Sequence, residues 1–484
     1  MVSGAFLALL SLASLAVALP NEDVASRGDE AVFVHVPLAA PDAYKSGEVH
    51  GLMMSLLADS VAQMEADKAA GAYANLHAMG FTPCVDGYAG TEEGNTFSCN
   101  NLDLYSFTSH ADLGSTTGFG NDIWGWAHEG REFALVGQRD GTAFAEVLST
   151  GEVLYLGRLP TQTDNSTWRD IKVIDHYAYI GSEAMGHGIQ VFDLTKLLDT
   201  SLASKPQEFD IKSDVASHYD GLPLGPSHNV VSLTSKTQSL IVAVGSIPRN
   251  GSCAAGLIFV DVSDPTKPTG VGCAAADGYV HDAQCLTYAG PDTKYVGHDL
   301  CYAFNEDSFT IYDVSDASAA EVISTTPYYG VSYSHQGWVI DETDQRYLLL
   351  DDELDEVYQR GWANNSHTVT YIWDIQSLEA PVLTGHYSSP VKSIDHNLYV
   401  HNGLAYESNY GSGLRVVDVS SVVNDPTGGS FKEVAFFDVH PEDDDVGGEA
   451  TFTGSWSVYP YFASGYIVVN SIERGLFVVK HSSA

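Results

Sequence analysis

The sequence predicts an all-β chain, a seven-bladed β-propeller, on three observations. A strand phrase returns seven times, the composition favours strands and turns over long helices, and 484 residues exceed one ordinary core. Glycine (45) and tyrosine (26) are abundant, and 44% of the residues are apolar, so a large β-rich interior can be buried.

The phrase runs Gly141-TAFAEVLS, Gly188-IQVFDLT, Gly256-LIFVDVSD, Ser308-FTIYDVSD, Val369-TYIWDIQ, Gly413-LRVVDVSS and Gly475-LFVVK. Each copy alternates apolar residues with period two, the pattern of a strand. Five copies carry an aspartate five residues after the first: Asp193, Asp261, Asp313, Asp374 and Asp418. Glu146 takes that place in the first copy and Lys480 in the last. An acid leaving a strand is expected to accept hydrogen bonds from the following turn. The acids recur every 44 to 68 residues, a spacing suited to propeller blades, with a six-blade count as the rival. In the fourth copy, strands at 282–288 and 300–304 precede the phrase and one at 321–325 follows it. The seventh copy ends with the chain after three strands, so Leu102–Thr108 is expected to supply its outer strand and close the ring.

Residues 1–18 read as a secretory signal peptide, with an apolar run from Phe6 to Val17 and Ala16-Val17-Ala18 as a small-x-small cleavage site. The basic residue usual at the start of such a leader is missing. Residues 19–98 form an N-terminal extension with one helix over Val49–Ala74, spaced by Leu52, Leu56, Leu57, Val61 and Met64, and the propeller spans residues 99–484. Six cysteines in a secreted chain point to disulfides, and short local loops favour Cys84–Cys99, Cys253–Cys273 and Cys285–Cys301. Asn165, Asn250 and Asn364 stand in glycan acceptor triplets. The expected product is a secreted, extracellular glycoprotein, monomeric and without a membrane span.

A formal net charge of −41 excludes nucleic acid as a partner and repels anionic membranes and polyanions. Phosphate-binding loops, dinucleotide fingerprints, HExxH and a nucleophile elbow are all absent from the sequence.

Aligned on the phrase, the first strands of successive blades place Asp122, Arg169, His228, His281, His335, His396 and Trp456 at one position. The next position is polar in six blades: Asp170, Asn229, Asp282, Gln336, Asn397 and Ser457. First strands of a propeller converge on its axis, so His228, His281, His335 and His396 are the candidate ligands of a divalent transition metal, Zn, Cu or Mn. Asp282 or Gln336 are expected as further or supporting groups. The bland alternative is four histidines bound to channel water and strand-end carbonyls. Loops between second and third strands open on the same rim and carry Arg139, Glu183, Glu306, Asp351–Glu353, Tyr410 and Glu473. The acidic runs 351–356 and 442–445 could hold Ca2+.

The phrases NDIWGW (Asn121–Trp126), GQRDGTAF (Gly137–Phe144), DGYVHDAQC (Asp277–Cys285), SHQGW (Ser334–Trp338), LLLDDELDE (Leu348–Glu356) and IDHNLYV (Ile394–Val400) resemble the choice-of-anchor B family of extracellular proteins. GLRVVDVS and GLIFVDVSDP are similar to the LVIVD repeat. The resemblance covers roughly residues 80–480 and implies a secreted propeller; it carries no assigned chemistry. Many bacterial members end in a surface anchor, and the last strand here runs almost to Ala484, so free secretion is expected.

The expected function is binding of, or action on, a small extracellular molecule or saccharide at a metal held by the axial histidines. Hydrolysis by metal-bound water and a lyase reaction both fit, with His281 and His335 as catalytic groups and Arg139 or Tyr410 assisting. The alternative is a non-catalytic extracellular binding or matrix module that uses the propeller face for protein contacts.

Overall fold

A computed structural model describes residues 25–27, 30–32, 37–92 and 94–482. The signal-peptide stretch at 1–18 lies outside the described residues. Seven sheets follow one another along the chain, antiparallel throughout except where Gln207–Glu208 adds a parallel fifth strand to the first. The first strand of every blade touches the first strand of the next, from Gly120–His128 in blade one to Ser455–Tyr459 in blade seven and back to blade one. That unbroken contact makes seven blades around a common axis, and the six-blade count is excluded.

Period two in each strand explains why the blades stack. In blade four, Leu300, Tyr302 and Phe304 face blade five, while Cys301 and Ala303 face blade three. Successive side chains point to opposite faces of a sheet, so each strand feeds two cores at once. The repeated acid has the expected turn role. Asp193, Asp261, Asp313, Asp374 and Asp418 each accept from the backbone N–H two residues on, at 2.8–3.0 Å. Glu146 instead pairs with Arg131 through two bonds of 2.8 and 2.7 Å.

Closure is as expected. Leu102–Ser109 pairs antiparallel with Gly475–His481 as the outer strand of blade seven. Phe107 and Phe477 pack across this seam at 4.6 Å with their rings tilted by 36°, and Phe97 lies edge-on to Phe477 at 5.2 Å. Blade six is widened to six strands by Asn95–Asn100 and Tyr88–Glu92. The expected boundary at residue 99 therefore falls inside a strand, because Cys99 and Asn100 are laddered to Phe437 and Phe436. The disulfides pair as expected, Cys84–Cys99, Cys253–Cys273 and Cys285–Cys301.

Before the blades come two helices, α1 (Pro41–Ser46) and α2 (Glu48–Ala70). The second is the helix expected over Val49–Ala74; it stops at Gly71, whose φ of 91° is left-handed. Its buried face is Val49, Met53, Leu57 and Met64. These side chains join a cluster with Tyr333, Leu354, Tyr410 and Trp456, which belong to the rim and the hub. The helix lies across the mouth of the axial channel.

Ring closure rests on the aromatic seam. Phe477→Ala should therefore cost about 3–5 kcal/mol in chemical denaturation, the usual loss for a fully buried Phe.

Candidate metal centre at the hub

The four aligned histidines meet. Ring centroids of His228 and His281 are 4.3 Å apart, His281 and His335 4.5 Å, and His335 and His396 4.5 Å. All four are buried. Each uses its Nδ1 on a fixed partner: Glu183 Oε1 at 2.6 Å for His228, the His335 carbonyl at 3.1 Å for His281, Asp351 Oδ1 at 2.9 Å for His335, and the Trp456 carbonyl at 2.5 Å for His396. A carbonyl only accepts, so Nδ1 of His281 and His396 must carry the proton. The Nε2 lone pairs of these rings are left for another partner.

Glu353 sits against those Nε2 atoms, 3.7 Å from His335 and 3.5 Å from His396. The Tyr410 hydroxyl donates to Glu353 Oε1 at 2.8 Å. Ligand atoms of His281, His335 and Glu353 lie within 4.8 Å of one another. A void of about 10 Å³, on the scale of one water or one ion, lies beside them; His228, His281, Glu353, His396 and Tyr410 line it, and His335 does not.

Electrostatics match this layout. Burial drives the His281 and His335 imidazoles well below the ordinary histidine value and His396 to about 3, so these three are neutral. Burial also opposes charge on His228, but the Glu183 carboxylate raises its pKa above the ordinary value. Burial pushes Glu353 up to about 8. A cation between the rings would reverse that cost, because it favours the ionised carboxylate.

The polar residues one position further on do other work. Asp170 Oδ2 accepts from Val230 N–H at 2.8 Å and Gln336 Oε1 from Leu398 N–H at 3.0 Å, each a staple to the next blade. Asp282 accepts from Ala283 N–H at 2.7 Å. Consecutive strand residues alternate faces, so these side chains do not support the imidazoles. Glu183, Asp351 and two backbone carbonyls do. Blade one is also shifted by one residue from the sequence alignment: Asp122 accepts from Ile171 N–H at 3.0 Å as Asp170 does from Val230, so Asn121 stands where the histidines stand. The bulge between Gly120 and Ile123 matches those of blade five, between Ser334 and Gln336, and blade seven, between Ser455 and Ser457. Lys172 answers the buried acids of this layer, 2.7 Å from Asp170 and 3.8 Å from Asp122.

Of the other expected groups, Tyr410 is in the cluster. Arg139 is not; it pairs with Glu65 of α2 at the outer rim. Arg169 is directed to the Gln138 carbonyl and to His187 and Thr161. In the acidic run at 351–356, Asp352 accepts from Ser332 and Tyr333 N–H, Asp355 from the Tyr371 hydroxyl and Glu356 from Val369 N–H. In the run at 442–445, Glu442 pairs with Arg474 and Asp443 accepts from Glu449 N–H.

An LVIVD repeat model matches residues 253–274, the stretch that holds the third and fourth strands of blade three. No curated protein matches the chain. Among solved structures, the β-propeller domain of Myceliophteria thermophila Cps50 (Swd1) is similar at 11% identity and a TM-score of 0.42, over 72% of this chain and 94% of that one. The computationally designed Ika8 protein is similar at 8% identity and a TM-score of 0.43, over 82% and 92%.

Away from the hub, His440 Nδ1 lies 2.7 Å from Glu473 and 3.3 Å from Glu442. Burial disfavours its charge, yet Glu473 and then Glu442 raise it to about 9. The pair therefore contributes stability that is complete below about pH 6.5 and is lost as pH rises through 9. Thermal melts should show that decline between about pH 6.5 and 9 in the native chain and a flatter profile in His440→Gln.

Proposed function

We propose that the hub is a metal centre in which Nε2 of His281 and His335 and a Glu353 oxygen bind one divalent transition ion, with His228 and His396 completing the imidazole arc. The observation that carries this reading is the convergence of ligand atoms of His281, His335 and Glu353 within 4.8 Å of one another, while the Nδ1 atoms of all four histidines are committed to fixed partners. Such outer partners orient metal-binding histidines and raise their basicity. Imidazoles with a carboxylate suit Zn, Cu or Mn better than Ca2+, which takes oxygen ligands.

The ion would supply Lewis acidity toward a small extracellular molecule or saccharide, in a hydrolytic or lyase reaction. Tyr410, hydrogen-bonded to Glu353, would orient that carboxylate and could give its hydroxyl proton to a reacting oxygen, becoming the tyrosinate. Arg139, tied to Glu65, has no part in this reading. The three disulfides favour an oxidising, extracellular setting, and among the described residues no helix is long and apolar enough to cross a membrane. The motif resemblance supports membership of the choice-of-anchor B group, with the matching LVIVD repeat as its coarser support.

One observation favours the second reading, a non-catalytic extracellular binding or matrix module that uses the propeller face for protein contacts. The void has no room for an organic ligand while α2 covers it.

Elemental analysis of protein purified without chelator should find stoichiometric Zn, Cu or Mn. That metal should be lost in the His281→Ala/His335→Ala double variant while the propeller still melts cooperatively. Absence of any of these metals from the native protein, also after incubation with each ion, would refute the proposal.

A further inference from the structure

We propose that α2 is a detachable plug, and that the N-terminal arm must swing off the rim before anything larger than an ion or a water reaches the axial histidines. This deepens the metal-centre reading and rests on it for the identity of the guest. The claim about access to the imidazoles stands on the packing alone.

The roof of the void belongs to the arm. His50, Met53, Met54 and Leu57 of α2 line it from above, opposite His228, His281 and Glu353. Tyr333 also lines the void, its hydroxyl 2.8 Å from His50 Nδ1 and its ring edge-on to His281 at 5.2 Å. An apolar helix face laid over a polar cluster does not satisfy it, and the void marks that mismatch.

The arm's attachment is thin and separable. No residue of α1 or α2 belongs to a blade, so lifting it breaks no ladder. Of the 23 residues of α2, four are buried, and Leu52 is 42% exposed. The polar ties are few. His50 Nδ1 meets the Tyr333 hydroxyl at 2.8 Å, the Tyr44 hydroxyl donates to the Ser332 carbonyl at 3.0 Å, and Arg249 donates to the Tyr44 carbonyl at 3.0 Å. Glu65 pairs with Arg139, and Lys68 donates to the Thr117 carbonyl.

A hinge is also present. After Gly71, residues 72–78 are exposed or half-buried and carry no strand. Met79 then pairs with Phe107, in the strand that closes the ring. The arm is thus tethered at a fixed point and can pivot about the segment 71–78 without opening the propeller. Elements with few buried apolar contacts and solvent-exposed backbone open locally at low cost, whereas blades open only with the whole ring.

The test uses the full-length, metal-free chain, so it does not depend on a bound metal. Diethyl pyrocarbonate labelling of histidines is followed peptide by peptide by mass spectrometry, beside hydrogen exchange of residues 48–70. In the native chain, His281 and His335 should label at least about tenfold more slowly than exposed His77. Leu57→Lys, which puts a charge into the apolar contact, should speed their labelling about tenfold or more. His440, buried in blade seven's rim, should be unchanged. Glu65→Ala is the milder variant should Leu57→Lys fail to fold, with an effect in the same direction. If amide exchange in α2 accelerates while His281 and His335 label at the native rate, or if they label as fast as His77 in the native chain, the plug is disproved. With the metal loaded, faster removal by a chelator in the same variants extends the proposal to the ion. Absence of metal would sink only the metal reading.

Discussion

Everything at the hub depends on closure of the ring. A sheet of four strands has two faces, and in this chain both are apolar, so a blade is stable only between two others. Seven such blades satisfy one another only if the last meets the first. The strand Leu102–Ser109, laddered to Gly475–His481, supplies that contact and fixes the first strands at a common axis. Four histidines more than fifty residues apart along the chain are thereby held within van der Waals reach of their neighbours. No local interaction could hold them there.

Given that convergence, the chemistry follows from hydrogen bonding rather than from the imidazoles themselves. Two backbone carbonyls and two carboxylates occupy the Nδ1 atoms, so the rings cannot satisfy one another and turn their Nε2 atoms inward. Burial keeps three rings neutral, which is the state a metal requires. The same burial makes an ionised Glu353 costly without a cation nearby. Three neutral imidazoles beside a carboxylate that resists ionisation are the groups whose charge state a bound cation would change.

Much of this was legible in the residues. The seven phrases, the closing strand, the cysteine pairs and the histidine column are all periodic or local features, and periodicity survives in a sequence. Four things did not. The blade-one register slipped because Asn121 and Asp122 are adjacent polar residues with no histidine to fix the frame. The polar position after each histidine looked like support for a metal, yet strand alternation sends Asp170 and Gln336 to the neighbouring blade. Glu183 and Glu353 were visible only as rim acids. Their signal was present in hindsight: each directly follows the end of its blade's second strand, as Arg139 does and Tyr410 nearly does in theirs. The role of α2 as a roof had no sequence signal, because its apolar stripe names no partner.

The most direct test of the account is the tautomeric state of the four rings in the metal-free protein, read from long-range nitrogen–proton NMR correlations and assigned with single His→Gln variants. The account predicts that His281, His335 and His396 are neutral and protonated at Nδ1, with Nε2 bare. Protonation at Nε2 in these rings would mean that no convergent set of lone pairs exists at the axis, and the metal centre would fall with it.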